Sequence, residues 1–198
     1  FKLQSYEQYN GARKPFWIPK LRTNIETEIL AKVLAANSTL PSYIGASENY
    51  LYYRTTGGLY WKVFTNFSPI FLCNGQEGKS SRETKIAFQN DDYPSLFVAL
   101  LSSNLFWWWY TITSNLRDLN PSDLNGFHFS ERVLDDKKLY SLSEEYLSSL
   151  KSNSTMLIRE QKGKGTTQTQ SFKIKLSKPI IDEIDKVLAK HYGFTEEE

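Results

Sequence analysis

PSLFVALLSSNLFWWWYTITSNLRDLN, residues 94–120, contains two runs of six apolar residues, Leu96–Leu101 and Leu105–Tyr110. Ser102–Asn104 separate the two runs. Apolar residues on every face are typical of a helix that is buried on all sides. Each run is far shorter than the roughly 18 apolar residues that a membrane span requires. The stretch therefore predicts the central helix of a folded core.

The start of this helix is indicated by three residues. Asp91 and Asp92 are suited to capping, and Pro94 suits the first turn, where its missing N–H leaves no hydrogen bond unmade. Successive helical residues are about 100° apart, so Trp107–Trp109 cannot all face one side. We expect at least two of these tryptophans to be buried, because large aromatic side chains dominate protein cores.

The same stretch resembles a known family in its motifs. SSNLFWWWY at residues 102–110, SNLRDLN at 114–120 and the following Asp123-Leu124 are similar to the DNA target-recognition region of bacterial adenine-N6 DNA methyltransferases. The nearest resemblance is to single-chain type II restriction–modification enzymes of the Eco57I and TaqI-like kind. The C-terminal run Lys178–Glu198 resembles the segment that closes such enzymes. The resemblance covers roughly residues 50–130 and 170–198.

The resemblance implies that this chain binds double-stranded DNA and that another part of its parent chain transfers the methyl group. The family uses a glycine-rich cofactor strand and an Asn/Asp-Pro-Pro-Tyr/Phe motif, and neither is present here; Asn120-Pro121-Ser122-Asp123 is only superficially similar. S-adenosylmethionine is therefore expected in the parent and no cofactor in this chain. The chain begins at Phe1 without a methionine, which favours a fragment of a longer protein.

Composition sets further limits. A length of 198 residues fits one domain, and a net charge of +2 excludes a global polycation. The single cysteine, Cys73, excludes a disulfide framework and fits a reducing compartment such as the cytoplasm. We find neither a signal peptide nor a membrane span in the sequence.

The remaining periodicities predict an α+β fold, with a mostly antiparallel sheet flanked by three or four helices around the buried aromatic helix. Residues 1–20 are expected to form an extended N-terminal segment, and residues 178–198 the C-terminal helix. The predicted helices are 25–36, 139–150 and 180–192; the predicted strands are Tyr50–Arg54, Leu59–Thr65, Ile70–Cys73, Thr84–Phe88 and Phe127–Phe129. Gly57-Gly58 predicts a hairpin turn between the first two strands. A second hairpin is expected from Met156–Gln161 and Ser171–Leu176, joined by a flexible loop at 162–170.

Catalytic motifs are incomplete in this sequence. The glycines of Gly75-Gln-Glu-Gly78-Lys79-Ser80 lie too close together for a P-loop. Glu83-Thr84-Lys85 matches half of a nuclease motif, but a preceding aspartate is missing. His128 and His191 are isolated; we expect His128 to face solvent in a strand, and Cys73 to be inert core.

Basic and polar residues concentrate in three loops. Arg54-Thr55 with Lys62 beyond, Lys79–Lys85, and Asn115 with Arg117 carry side chains that bind phosphates or the edges of bases. The candidate DNA-contacting residues are Arg54, Thr55, Lys62, Lys79, Ser80, Arg82, Lys85, Asn115 and Arg117, with Arg82 the candidate for a base contact. Ordinary solvent-facing turns, and a local Arg117–Asp118 ion pair, are the alternatives.

Residues 151–178 form a further basic segment, in which Lys173 and Lys175 alternate with Phe172, Ile174 and Leu176. Such a strand could follow DNA phosphates; alternatively, it is an edge strand whose lysines prevent aggregation. The sequence thus favours sequence-specific DNA recognition for an adenine-N6 methyltransferase. The alternative is a non-catalytic protein-interaction or structural domain that packs on a partner subunit.

Overall fold

The computed structural model describes residues 19–56, 62–161 and 165–198. In these ranges the chain forms six α-helices and nine strands. The helices are α1 Asn24–Ala35, α2 Tyr93–Ser102, α3 Asn104–Thr113, α4 Pro121–Asn125, α5 Lys137–Ser152 and α6 Lys178–Tyr192. The strands are β1 Ser38–Thr39, β2 Tyr50–Arg54, β3 Phe64–Thr65, β4 Phe71–Cys73, β5 Gln76–Glu77, β6 Glu83–Ala87, β7 His128–Phe129, β8 Ser154–Gln161 and β9 Gly165–Phe172.

The α+β prediction is confirmed, and all the described strand pairs are antiparallel. The strands form three small sheets with the orders β3-β2-β6, β5-β4-β9-β8 and β1-β7. The Gly57-Gly58 turn, the start of the Leu59–Thr65 strand and residues 1–18 of the N-terminal segment lie outside the described residues.

The central stretch is two helices rather than one, because Ser103 interrupts it. Ser103 has extended backbone angles, φ −69° and ψ 156°, so that it ends α2 and begins α3. Its Oγ accepts a hydrogen bond from Phe106 N at 3.0 Å and donates one to Leu100 O at 2.7 Å. The buried Ser103 therefore bonds a carbonyl at the end of α2 and an N–H at the start of α3.

The start of α2 also differs from the prediction. Asp92 occupies the N-cap position, but its carboxylate makes no capping hydrogen bond. The Oδ1 of Asn90 instead accepts a hydrogen bond from Asp92 N at 3.0 Å and shapes the preceding turn.

Of the three tryptophans, only Trp109 is fully buried, so the prediction of at least two was wrong. Its indole Nε1 donates to Asp123 O at 3.1 Å. Trp107 and Trp108 are half-buried and pack against the edge of the core. Trp108 lies close enough to α1 for its Nε1 to donate to Glu26 Oε1 at 3.3 Å. The helical rotation of about 100° per residue allows only one of the three to point directly inwards.

Helix α2 lies at the centre of the fold and packs against α3, α5, α6, β2 and β3. Every residue from Pro94 to Ser102 is buried. The outer helices follow their sequence signals. A capping box of Thr23 and Glu26 begins α1, and Gly193, with φ 64°, ends α6 in the left-handed conformation. In the part of the chain that the structure describes, no helix combines the length and apolar character needed to cross a membrane.

The second hairpin is formed by different residues from those predicted. Strand β9 begins at Gly165 and ends at Phe172, so the predicted loop is largely strand, and Ile174–Ser177 form a 3₁₀ helix. Lys173 and Lys175 therefore do not lie on a strand. The run of threonine and glutamine at 166–170 forms β structure because threonine favours strands and neither face of this hairpin is buried deeply enough to require apolar residues.

The sheet of β5-β4-β9-β8 also contains a turn that the sequence analysis did not identify. Asn74 and Gly75, with φ 52° and φ 80°, form the two-residue turn of a hairpin between β4 and β5, a position in which Asn-Gly is common. The prediction that Cys73 belongs to the core was wrong. Cys73 is exposed beside this turn, because its sheet faces solvent here rather than a helix.

Candidate nucleic-acid interface

Thr55 joins the three loops that the sequence analysis selected. Its backbone N–H and its Oγ1 both donate to Arg82 O, at 3.0 and 3.3 Å. Its carbonyl oxygen accepts a hydrogen bond from Leu119 N at 2.8 Å. The end of β2, the loop before β6 and the loop after α3 are therefore adjacent in the folded chain, although they are distant in sequence.

The loop after α3 is held in a fixed conformation. Asn115 Oδ1 accepts hydrogen bonds from Arg117 N at 2.9 Å and Asp118 N at 3.4 Å, and Leu116 is left-handed at φ 63°. The Tyr110 hydroxyl donates to Asp118 O at 3.1 Å. Asn115 thus uses its amide oxygen within the loop, and only its Nδ2 is available to a ligand. The Arg117 side chain is 87% exposed, and its Nε lies 3.9 Å from Asp118 Oδ2, which is the local ion pair considered as an alternative.

A cleft of about 740 Å³ lies beside this junction, between the β3-β2-β6 sheet and the β8–β9 hairpin. Arg54, Lys62, Ser80 and Arg82 of the predicted residues line it, together with Arg159 of β8. Among its described lining residues, four are basic and one, Glu83, is acidic. The local charge of this surface is therefore strongly positive, although the net charge of the chain is only +2.

Strand register explains one wall of the cleft. In the antiparallel pair of β2 and β6, Arg54 lies opposite Glu83, and Tyr52 lies opposite Lys85. Opposite residues share a face and successive residues alternate, so these four side chains and Tyr50 belong to the outer face of the sheet. The Lys85 ammonium lies 3.5 Å from the centroid of the Tyr50 ring, a cation–π contact at the far end of this wall.

The other wall comes from the β8–β9 hairpin. Leu157 pairs with Thr169, and Arg159 pairs with Thr167, so these four side chains share a face. The same face includes Phe71, because Phe71 of β4 also pairs with Thr169. Arg159 was not among the predicted site residues. The sequence feature that could have identified Arg159 is the predicted strand 156–161, in which Leu157 and Arg159 lie on the same side.

Electrostatic effects in the cleft follow from burial and from its positive charge. Partial burial lowers the pKa of the Arg54 guanidinium, and the charge of Arg82 lowers it further. The charge of Glu83 opposes this effect, and the charge of Arg159 makes the smallest contribution, which also lowers the pKa. Burial raises the pKa of the Glu83 carboxyl, although a hydrogen bond from Ser68 and the charge of Arg54 oppose this. Arg54 is therefore close enough to two other arginines to be repelled by them.

Lys62 is placed differently from the other candidates. Its side chain lines the cleft but is only 7% exposed, and its ammonium lies 5.9 Å from the centroid of the Tyr110 ring. Burial lowers its pKa, and the charge of Asp118 opposes this effect. Lys62 therefore contributes charge at the inner end of the cleft but offers little area to a macromolecule.

The remaining candidates lie around the cleft. Lys79 is exposed in the loop before β6 and outside the cleft. Ser80 is half-buried; its Oγ accepts from Arg82 N at 3.3 Å, which leaves the hydroxyl proton free to be donated. The structure thus brings the loops of the predicted residues together, with Arg54, Lys62, Ser80 and Arg82 inside the cleft and Lys79, Lys85 and Arg117 outside or at its ends.

The two histidines have separate structural surroundings. The prediction that His128 faces solvent was wrong, since it is half-buried with Nδ1 3.0 Å from Ala36 O. His191 Nε2 lies 2.7 Å from Asp136 Oδ2, at the start of α5. Within residues 19–56, 62–161 and 165–198, no group of three or more His, Cys, Asp or Glu side chains is arranged to hold a metal ion.

Comparison with known proteins gave no relative: no family model matches the chain, and neither a curated protein nor a solved structure is significantly similar to it.

Proposed function

We propose that this chain recognises a DNA sequence for an adenine-N6 DNA methyltransferase whose catalytic domain lies elsewhere in the parent protein. The observation that carries the proposal is the junction at Thr55, which places Arg54, Arg82 and Arg117 on loops that contact one another. These loops were selected from sequence for their DNA-binding chemistry, and their adjacency is what a recognition surface requires.

The chemistry of the surface supports the same proposal. Arginine, lysine and serine are common donors to phosphate oxygens, and arginine also contacts guanine in the major groove. Short loops carried on a packed helix and a sheet position such side chains well, because the scaffold holds the backbone in place. The Arg117 side chain is 87% exposed, so it can reach a base edge.

In this proposal the catalytic domain, rather than the present chain, binds S-adenosylmethionine. Double-stranded DNA and that catalytic domain are its partners, and the cytoplasm is the compartment in which it meets both. Calorimetric titration of the chain with S-adenosylmethionine provides a direct check: binding that is lost on substitution of cleft residues would contradict this division of roles.

The proposal is tested by selection from a pool of randomised DNA duplexes. We expect the chain to enrich a sequence motif, and the triple variant Arg54→Ala, Arg82→Ala, Arg117→Ala to lose that enrichment. The matched control removes three exposed basic side chains that do not line the cleft, in Arg132→Ala, Lys137→Ala, Lys190→Ala. If the triple variant enriches the same motif with the same affinity as the unmodified chain, this surface does not recognise DNA.

A second candidate function, a protein-interaction domain, is favoured by the opposite face of the β8–β9 hairpin. Met156 and Ile158 share this face and are 39% and 60% exposed. In its simplest form the partner is a second copy of the chain. Sedimentation of the unmodified chain and of its Ile158→Lys variant tests whether the partner is a second copy. A dimer that the substitution converts to monomer supports self-association, and a monomer in both cases argues against it.

A further inference from the structure

We propose that Arg54, Arg82 and Arg159 form a phosphate-binding site in the cleft between the β3-β2-β6 sheet and the β8–β9 hairpin. The inference rests on the proposed function in one respect, because that function makes the phosphate part of a DNA backbone. The anion chemistry of the site itself follows from the cleft.

The three arginines reach the cleft from distant parts of the chain. Arg54 ends β2, Arg82 precedes β6, and Arg159 lies near the end of β8. All three line the cleft, and all three are exposed to solvent. Guanidinium groups bind phosphate through two parallel N–H donors, which gives both affinity and orientation. Three such groups around one cleft are suited to a tetrahedral anion.

The described part of the chain makes no internal use of the three guanidinium groups. Among the residues that the structure describes, none of them donates a hydrogen bond to another side chain or forms an ion pair. This contrasts with other exposed cations of the chain, such as Lys178, which pairs with Asp182, and Lys186, which pairs with Glu183. The hydroxyls of Ser80 and Thr169 also line the cleft and can donate to phosphate oxygens.

Among the described lining residues of the cleft, positive charges outnumber negative ones. Glu83, the acidic residue of this described lining, lies opposite Arg54 and accepts a hydrogen bond from Ser68 at 3.4 Å. The charges of Arg82 and Arg159 both disfavour the charged form of Arg54. A bound anion would remove this repulsion. A phosphate should therefore bind more strongly to the arginines of the cleft than to a single isolated arginine.

The inference changes the role of Arg82. The sequence analysis made it the candidate for a base contact, whereas its place in the same cleft as Arg54 and Arg159 favours a phosphate contact. Phosphate contacts weaken binding to all sequences alike and contribute to salt dependence, whereas base contacts change sequence preference. The two roles are therefore separable by experiment, and Arg117 remains as the arginine outside the cleft for a base contact.

The first arm of the test uses inorganic phosphate. Arginine Nε–Hε signals in NMR spectra of the chain are followed during titration with phosphate, against sodium chloride of equal ionic strength. We expect a saturable shift, with the affinity lowered about tenfold in Arg159→Gln, since a charge-assisted hydrogen bond is lost. Arg132→Gln removes an exposed arginine away from the cleft and should bind phosphate as the unmodified chain does. Equal phosphate affinity in Arg159→Gln and the unmodified chain would overturn the site.

The second arm uses a short DNA duplex of mixed sequence at several salt concentrations. We expect Arg54→Gln, Arg82→Gln and Arg159→Gln each to flatten the slope of log K against log salt by about one, with Arg132→Gln unchanged. If phosphate binds but the duplex does not, the phosphate site stands and the DNA function fails. If the duplex binds with a slope that none of the three substitutions changes, the phosphate site fails and the DNA function stands.

Discussion

The helices α2 and α3 and the arginine-lined cleft are opposite in their physical character. In α2 every residue from Pro94 to Ser102 is buried, and Trp109 of α3 is enclosed with its N–H satisfied. In the cleft, Arg54, Arg82 and Arg159 are exposed, and the charges of Arg82 and Arg159 disfavour the charged form of Arg54. The first region stabilises the fold, and the second places like charges together, which a fold does not require. This difference is why we propose a binding role for the cleft residues.

Trp109→Ala is expected to have the largest effect on stability. Among the described residues, Trp109 has the largest fully buried side chain. The substitution leaves a cavity between α3 and α4 and loses the hydrogen bond to Asp123 O, so it should lower the free energy of unfolding by roughly 3–5 kcal/mol. Urea denaturation measures this directly. Trp107→Ala is the matched control on the same helix; because Trp107 is half-buried, its effect should be clearly smaller. Equal effects of the two would mean that α3 does not present one tryptophan to the core.

The difference between the two regions also explains what the sequence could predict. The core helices and strand β2 depend on local periodicity, and α1, α5, α6 and β2 were predicted within a few residues of their observed bounds. The Thr23 cap and the Gly193 end are equally local. The break at Ser103 was not predicted as such, because a polar residue inside an apolar run is compatible with a continuous helix.

The cleft, in contrast, depends on a contact between distant strands. Its second wall exists because Phe71 pairs with Thr169, and no periodicity within either segment specifies that pairing. The loops of Arg54, Arg82 and Arg117 could be selected from composition, but Arg159 could not be assigned to the same site. Residues 165–170 of the polar strand β9 were predicted as part of a loop, since their threonines and glutamines lack the apolar alternation of a half-buried strand.

Asp185 gives a prediction about pH within the core region. Its carboxylate accepts hydrogen bonds from the N–H groups of Asn104 and Leu105 at the start of α3, each at 3.3 Å. Burial raises its pKa to about 6 despite these bonds, and the neighbouring Asp182 contributes to the increase. Because the folded-state pKa is raised above the ordinary value for aspartate, the associated stability is present below about pH 4 and is lost as the pH rises through about 6.

The measurement compares the unmodified chain with Asp185→Asn, which cannot titrate at this position. Between pH 4 and pH 7, the unfolding free energy of the unmodified chain should decrease relative to that of the variant by at most about 2 kcal/mol. Asp182→Asn should shift this change to lower pH, since it removes a like charge. A difference between the chain and Asp185→Asn that is constant over this range would contradict the raised pKa.

Gly165→Ala is expected to have a smaller effect, which is confined to the wall of the cleft. Gly165 has φ 83°, and an added Cβ would lie 2.0 Å from Asn74 Oδ1, which accepts a hydrogen bond from Thr166 N at 2.8 Å. Both the strain and the displaced asparagine should lower stability, by about 1–2 kcal/mol. Gly193→Ala is the control, since Gly193 has φ 64° but open space around its Cα. Thermal denaturation of both variants separates the contact with Asn74 from the backbone strain, which the two share.

Arg159→Gln should change stability least, and the sign of its effect tests the contrast between the two regions. Arg159 is exposed, and its charge disfavours the charged form of Arg54. Its removal should therefore leave the unfolding free energy unchanged within about 0.5 kcal/mol, or increase it slightly. Glu83→Gln should act in the opposite direction, because Glu83 is the acidic residue that faces Arg54 across the β2–β6 pair.

Salt provides an independent measurement, since mobile ions screen exposed charges within about 10 Å at 0.1 M. Added sodium chloride should stabilise the Glu83→Gln variant more than the unmodified chain, and Arg159→Gln less. If Arg159→Gln instead destabilises the chain as strongly as a core substitution, the side chain has a structural role, and the separation between a stabilising core and a binding cleft does not hold for Arg159.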